Sequence, residues 1–311
     1  MKPSGLPPTV LGTVVTVGTF DGVHRGHQAI LREIEGRATA RGLHSVLLTF
    51  DRHPLRVVRP EDAPLLLTMP NEKKEILAQF RVDYVAFVAF TRAFSRYSPG
   101  QFVREVLVRR LRAKELVIGH DHGFGRGRAG DVDVLRSLGA ECGFDVDVVS
   151  GVEVGGVTVS STGIRAAVAS GRVEDAAAGL GRPYSIRGTI VHGMGRGRTL
   201  GFPTANFSAP SPDKLLPAEG IYAVRASLGS ELLHGLLHLG PRPTFAGSPP
   251  TIELYLLDFD RDIYGDRVVV EFLHRLREVR PFSTAAELVD QMKADRVTAI
   301  DYFSTRGEDL I

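Results

Sequence analysis

The sequence predicts an α/β domain built on a parallel sheet, followed by a small antiparallel β-barrel or sandwich that ends in a helix. Three observations carry this expectation. From Val14 to about Ser150, short apolar runs alternate with amphipathic segments, as strands joined by crossover helices do. After Gly181 the pattern changes to β-branched or alternating runs separated by Gly, Pro and Asp, the punctuation of antiparallel strands. From Ser283 to Phe303 the apolar positions return to helical spacing.

In chain order, strands are expected at 13–17, 45–50, 83–90, 115–119 and 144–149, with helices at 27–41, 71–80, 99–112 and 131–142 between them. Ile30, Ile34 and Ala38 share one face of the first helix, and Ser98-Pro99 is a good start for the third, whose buried stripe is Phe102, Val103, Val106 and Leu107. Two short alanine-rich helices follow at 161–170 and 173–180. The division is placed at 182/183, giving domains 1–182 and 183–311. Strands are then expected at 184–192, 220–228, 231–239, 251–259 and 266–274. Ser283 or Thr284 can cap the last helix, with Leu288, Val289 and Met292 as its buried stripe.

The 311 residues suffice for two cores, and a net charge of +2 does not call for a nucleic-acid partner. Lone Cys142 rules out an intramolecular disulfide and a multi-cysteine zinc site, which suits a reducing compartment. Pro3, Pro7 and Pro8 interrupt the first residues, so no secretory signal is read there, and no run approaches the ~18–20 apolar residues of a membrane span. The expectation is a soluble cytoplasmic protein whose partners are small molecules, with neither nucleic acid nor membrane among them.

The stretch from Gly18 to His27 (Gly-Thr-Phe-Asp-Gly-Val-His-Arg-Gly-His) links an apolar strand to a helix. In that position backbone N–H groups and the positive end of the helix dipole converge on a phosphate. His24 and His27 fall about one turn apart, and Gly26 lets a ligand oxygen approach the backbone. The pair suits hydrogen bonding to phosphate oxygens as charge builds during nucleotidyl transfer, although either histidine also suits plain capping. Asp21 fits a turn as well as a ligand contact, because Asp-Gly is a common turn pair. Phe50-Asp51-Arg52-His53-Pro54 ends the second strand, at the edge where parallel sheets bind ligands. The loop from Gly119 to Asp131 brings His120, Asp121, His122, Arg126 and Arg128 past several glycines. Adjacent loop residues of this kind seldom all face one metal ion, so cations near phosphate are the better reading. Ser160-Ser161-Thr162 opens a helix with Arg165 one turn later, as a cap or as a triphosphate clamp.

In the second half, a glycine loop with Gly193, Gly195 and Gly201 leads into Phe202-Pro203-Thr204-Ala205-Asn206. In extended chain Thr204 and Asn206 face the same side. Two neutral oxygen ligands suit a Mg²⁺ ion that stays mostly hydrated and phosphate-bound. No Gly-Lys-Ser/Thr follows, so the loop is not a Walker A motif. Glu253 is one acid in the apolar run 251–257, either an outward strand residue or a base for a substrate hydroxyl.

Taken together these motifs resemble the bifunctional bacterial FAD synthetases, in which riboflavin kinase and FMN adenylyltransferase share one chain. The resemblance runs from Val14 to about Phe303 with motifs in matching order. It implies an N-terminal Rossmann-like nucleotidyltransferase domain of the HIGH superfamily and a C-terminal riboflavin kinase barrel. Gly18 to His27 is similar to the superfamily signature, with His24 and His27 acting on the transition state. Gly18, Phe20, Asp21, Gly26, His53, Pro54, Asp121, Ser161, Thr162 and Arg165 match its ATP- and flavin-binding positions. In the kinase half the resemblance implies Gly193, Gly195, Gly201, Pro203 and Arg277 at the ATP and flavin, Thr204 and Asn206 at Mg²⁺, and Glu253 as catalytic base. Gly240 to Phe245 and Tyr264-Gly265 fit the same pattern. ATP is the implied co-substrate, with riboflavin, FMN and FAD as substrates and products.

Three positions depart from the family pattern: Arg52 where proline is common, and His122 and Gly123 where an aromatic and a basic residue are typical. These departures keep open a second reading, a riboflavin kinase with an impaired N-terminal module, and the Gly-Arg loops keep open a third, a flavin- or nucleotide-binding regulator.

Overall fold

The computed structural model describes residues 5–119, 132–192, 201–208, 211–240 and 251–306. Two compact units divide the chain at Met1–Ser161 and Thr162–Ile311.

In the first unit five strands form a parallel sheet: β1 (Thr13–Val17), β2 (His44–Phe50), β3 (Tyr84–Val88), β4 (Ala113–Gly119) and β5 (Asp145–Val149). Their order is β3-β2-β1-β4-β5, with every pairing parallel. The chain winds outward from β1 in one direction, then restarts on the other side at β4. That switch opens a crevice beyond the carboxyl ends of the strands, where α/β sheets bind ligands.

Alternate residues of each strand feed two cores. Val14, Leu47 and Val117 pack with Leu31, Ile34 and Ala38 of α1 (Arg25–Arg41). Val15, Leu48 and Leu116 pack with Phe102, Val103 and Leu107 on the other side. Covering both faces explains why the strands read as nearly unbroken apolar runs. A short α2 (Leu55–Val58), which has no apolar periodicity to announce it, precedes α3 (Pro70–Leu77). The helix expected at 99–112 begins as α4 (Pro99–Phe102) and widens into a π-helix over Val103–Val108. There Arg109 N donates to Arg104 O and Leu111 N to Val106 O, each at 3.0 Å, and Val103, Val106 and Leu107 all stay buried. α5 (Val132–Cys142) precedes β5, and a small hairpin, β6 (Glu153–Val154) with β7 (Val157–Thr158), follows it. Gly155 and Gly156 both take positive φ at its turn (59° and 77°), as a two-residue hairpin loop requires.

In the second unit α6 (Ser161–Ala169), whose first residue closes the first unit, and α7 (Val173–Leu180) precede the sheet. Six strands close into a barrel, which decides between barrel and sandwich: β8 (Tyr184–Val191), β9 (Ala205–Phe207), β10 (Gly220–Leu228), β11 (Glu231–Gly240), β12 (Thr251–Leu256) and β13 (Arg267–Arg277). The barrel strand absent from the sequence reading is β9, which at three residues has no periodicity to detect. It bridges β8 and β12 and so closes the barrel.

Tyr222, Leu237, Leu254 and Phe272 are buried almost completely on one face of these strands. Ile221, Ala223 and Leu236, on the opposite face, pack with Ala299 and Phe303 of α8 (Ala285–Thr305). Thr284 caps α8, accepting a hydrogen bond from Glu287 N at 3.2 Å. The buried side of α8 differs from the expected one. Leu288, Val289 and Met292 are only half-buried, while Asp295, Ala299 and Phe303 are buried. The helix seats through its C-terminal half because Asp295 is drawn to Arg277 and Phe303 to the apolar patch on the barrel.

Close strand approach at Gly235 sets the β11–β12 spacing, since a Cβ there would lie 2.4 Å from the Tyr255 carbonyl oxygen. Gly235→Ala is expected to lower unfolding free energy by about 1–3 kcal/mol. Urea titration of the full chain checks this, and an unchanged midpoint would show that the two strands can part at no cost.

Candidate active sites

The link from β1 to α1 is a strained turn. Phe20 and Val23 take positive φ (49° and 40°) on either side of Gly22 (83°). For a β-branched residue such as Val23 this conformation is costly and persists only where the surroundings enforce it. The enforcing group is Asp21, which is 4% exposed. Its Oδ2 accepts from Leu67 N (3.0 Å), and its Oδ1 accepts from Thr68 N (2.9 Å) and Thr68 Oγ1 (3.1 Å). Gly22 N donates to Thr68 Oγ1 (3.0 Å) and Ser161 Oγ donates to the Asp21 carbonyl (2.9 Å), tying the turn down from two further directions. Phe20 folds back over Gly18, where a Cβ would meet its ring at 3.0 Å.

His24 is the N-cap of α1. Its Nδ1 accepts from His27 N at 3.3 Å, so the neutral ring carries its proton on Nε2. The rings of His24 and His27 stack with centroids 3.6 Å apart, and Phe20 stacks on His27 at 4.4 Å. A Cβ at Gly26 would press on the His24 ring at 3.2 Å, so glycine there lets the ring lie against the helix end. The cap fixes the tautomer that leaves a ring N–H as donor.

Beside this turn a pocket is lined by Thr19, Asp21, Phe50, Asp51, Arg52, His53, Leu66, Thr68, Pro70 and Lys73. Of the residues expected at the site, Asp21 and His53 line it, while Gly18, Phe20, His24, Gly26 and His27 build the adjoining turn. His53 Nδ1 accepts from Leu55 N at 3.3 Å, and Pro54 leads into α2. Ser161 joins the turn through Asp21. Thr162, exposed, and Arg165, half-buried, follow on α6 in the second unit. Asp121, with His120, His122, Gly123, Arg126 and Arg128, lies outside the described residues, as do Gly193 and Gly195.

Lys73 was not among the expected site residues. Within Glu72-Lys73-Lys74 it reads as solvated helix surface, yet it is 7% exposed. Its ammonium donates to Thr19 O (3.1 Å), Thr49 Oγ1 (3.3 Å) and Phe50 O (2.8 Å). Burial pulls its pKa down to about 8, with Asp21 and Asp51 opposing the shift. The available hint is the helix start at Pro70 with Glu72 in capping position, where Glu72 Oε2 accepts from Met69 N at 2.8 Å. That cap fixes the phase of α3.

In the second unit Thr204 Oγ1 donates to Glu253 Oε2 at 3.3 Å, and Asn206 is the cross-strand partner of Glu253. His238 of β11 is the partner on the other side. Ile252 and Leu254 are buried in the barrel, so Glu253 shares the opposite face with Asn206 and His238. The expected trio of Thr204, Asn206 and Glu253 is therefore one cluster. Phe202 is buried and meets Tyr255 edge-on at 5.4 Å, anchoring the segment, while Gly201 (φ 80°) and Pro203 are exposed. Hydroxyl, amide and carboxylate oxygens are hard donors of the kind Mg²⁺ takes. Among the described residues no group of three or more His, Cys, Asp or Glu could hold a metal. A cation here would rely on water and phosphate for its remaining ligands.

Arg277 is committed elsewhere. Its Nε and Nη2 donate to Asp295 Oδ1 and Oδ2 (2.8 and 2.6 Å), and Nη1 donates to Glu278 O (2.9 Å). The guanidinium fork fastens α8 to the barrel.

A family model of FAD synthetase matches residues 7–163, and one of riboflavin kinase matches residues 180–303. The bifunctional riboflavin kinase/FMN adenylyltransferase of Escherichia coli strain K12 is 40% identical over 293 residues, covering 94% of this chain and 93% of that protein. Its namesake from Haemophilus influenzae is 36% identical, covering 94% and 95%. A crystal structure described as a macrolide-efflux protein from Streptococcus pneumoniae superposes with a TM-score of 0.84 at 32% identity, covering 95% of each chain.

Asp21→Ala removes the acceptor shared by Leu67 and Thr68 and releases the strained turn. Unfolding free energy is expected to fall by about 1–3 kcal/mol. Denaturant titration checks it, and wild-type stability would show that another group enforces the turn.

Proposed function

The chain belongs to the bifunctional riboflavin kinase/FMN adenylyltransferase family, and from that premise we propose how its two units divide the work. The barrel phosphorylates riboflavin to FMN, and the unit carrying the His24 turn adenylylates FMN to FAD. The observation that carries this division is the Thr204–Glu253 contact with Asn206 opposite, in a unit separate from His24 and His27. We set the division of activities at 182/183, in the connection between α7 and β8.

In the kinase reaction Glu253 takes the proton from the riboflavin 5′-hydroxyl. The oxygen attacks the γ-phosphate of ATP, and ADP leaves. Thr204 holds the carboxylate through Oε2, and Gly201 and Pro203 shape the approach to it. Thr204 and Asn206 would hold Mg²⁺, which when bound neutralises charge on the ATP phosphates. Gly193 and Gly195 belong to the same nucleotide loop. The engagement of Arg277 with Asp295 supports a part in fixing the closing helix beside the flavin.

In the adenylyl transfer an FMN phosphate oxygen attacks the α-phosphate of a second ATP, and pyrophosphate leaves. His24 donates its Nε2–H to a phosphate oxygen as charge accumulates, and His27, held in the stack, sits beside it. Gly18, Phe20, Asp21, Gly26 and Ser161 keep the turn in shape for this. His53 and Pro54 border the pocket for flavin or nucleotide, while Asp121, Thr162 and Arg165 serve the triphosphate. No covalent enzyme intermediate is required, so the catalysis is positioning and electrostatics. Small-molecule substrates and a single cysteine suit a cytoplasmic enzyme. The efflux description stays with the Streptococcus protein; among the described residues here no helix is long and apolar enough to cross a membrane.

Product analysis with riboflavin plus ATP, and separately with FMN plus ATP, tests the division. Glu253→Gln is expected to lower FMN formation by about 10²-fold or more and leave FAD formation from FMN intact. His27→Ala is expected to do the reverse. Loss of both reactions in either folded variant overturns the assignment.

His24→Asn separates capping from chemistry, because asparagine caps well but offers no ring N–H. Stability should stay within about 1 kcal/mol while FAD formation falls about 10²-fold. Unchanged turnover would reduce His24 to a cap.

A further inference from the structure

We propose that Lys73 is a positioning residue for adenylyl transfer, its ammonium clamping together the carboxyl ends of β1 and β2 beside the His24 turn. The proposal rests on the assignment of that reaction to the first unit.

The argument begins with where the sheet stops. The β1–β2 ladder ends at Val17 and Leu48, with Gly18 N donating to Leu48 O at 3.1 Å. Beyond that point Thr19 leads into the strained turn and Phe50 leads into the 51–54 loop, and no ladder bond joins them. Lys73 takes over. One Nζ donates to the carbonyls of Thr19 and Phe50 and to Thr49 Oγ1, which itself donates to Thr19 O at 3.0 Å. An ammonium has three N–H groups, and these three acceptors use all of them. The carbonyl that Lys73 holds at Thr19 immediately precedes Phe20, the first residue forced to positive φ.

Charge faces this group from several elements. Asp21 comes from the turn, and Asp51, Arg52 and His53 from the loop after β2, all lining the same pocket. The Phe87 ring of β3 lies 5.7 Å from Nζ. On its own helix, Glu72 is turned to Met69 N, and the Lys74 ammonium lies 5.4 Å from the centre of the Phe87 ring. With its pKa pulled to about 8, Lys73 loses a proton, and with it one clamp bond, in mildly alkaline solution. Folding responds in the opposite sense. The unfolded chain keeps this proton up to the ordinary lysine value of 10.5, so between about 8 and 10.5 rising pH favours the fold through this group. An alkaline loss of activity through Lys73 is therefore not a loss of structure.

The experiment follows both half-reactions of the full chain from about pH 6 to about pH 10, with unfolding midpoints, for wild type, Lys73→Met, Lys73→Arg and His24→Asn. Wild type should lose kcat for FAD formation above about pH 8, with the KM for FMN little changed. Lys73→Met should lower that kcat about tenfold or more at neutral pH and abolish the alkaline limb. Lys73→Arg, which stays charged, should retain more activity than Lys73→Met and show no limb. FMN formation should be unaffected in each. The proposal is overturned if Lys73→Met turns over like wild type, or if Lys73→Arg keeps the limb at the same pH. Should Lys73→Met lose the kinase as well, and so fail to fold, the wild-type and Lys73→Arg profiles decide. If instead His24→Asn makes FAD at the wild-type rate, the site assignment is what fails rather than the clamp.

Discussion

Everything in the first unit's site hangs on a buried carboxylate. Asp21 is held by Leu67 and Thr68 and fixes a turn in which Phe20 and Val23 are both driven to positive φ. Two such residues cost roughly 1–3 kcal/mol each, and hydrogen bonds to a charged group each return about 1.5–3 kcal/mol. The magnitudes are comparable, so the turn is affordable only while the carboxylate is fully engaged. Its shape then decides the rest. It presents His24 to the end of α1, lays Phe20 on His27, and points Thr19 O at the lysine below.

The barrel solves the placement problem with a ladder instead of a turn. Thr204 and Asn206 meet Glu253 because three residues of β9 join β8 to β12. What admits β9 is the absence of a side chain at Gly188, where a Cβ would lie 2.4 Å from the Phe207 ring. Phe207 fills that space and pairs with Ile190, while Asn206 pairs with Val191. A glycine on one strand thus sets the position of Asn206, the cross-strand partner of Glu253, on the next. Arg277 of β13 and Asp295 seat α8 on the barrel by a bidentate ion pair, with the Asp295 side chain 8% exposed.

Features that depend on local pattern were legible in the sequence. Apolar runs broken by helical periods foretold the parallel sheet, and the strand, glycine turn and double histidine foretold the turn into the N-terminus of α1. Thr204 and Asn206 were readable because an i, i+2 spacing in extended chain has only one outcome. Features set by tertiary partners were not. Lys73 looks like surface until Thr19, Thr49 and Phe50 are brought to it. The buried side of α8 was misplaced because an aspartate at 295 carries no apolar signal, although it is the best-buried member of the helix's middle turns. Asp21 is the intermediate case: Asp-Gly announced a turn, but not that the carboxylate would be spent inside it.

That last point has a chemical reason. In the kinase reaction the nucleophile is an alcohol, which attacks poorly while it keeps its proton, so a carboxylate must stand ready to accept it. Glu253, which we propose for that part, is half-buried on β12 with one oxygen steadied by Thr204. In adenylyl transfer the nucleophile is a phosphate oxygen that is already ionised, and no base is needed. A loose carboxylate beside it would repel both the attacking phosphate and the triphosphate, so the first site gains from donors and loses from acceptors. Asp21 meets this constraint by turning both oxygens toward Leu67 and Thr68, and Lys73 sets a positive charge close behind it. In the proposed reaction the donors on this side are the helix end and the ring N–H that the His24 cap leaves free. The difference between the sites is set by the protonation state of each nucleophile before it arrives.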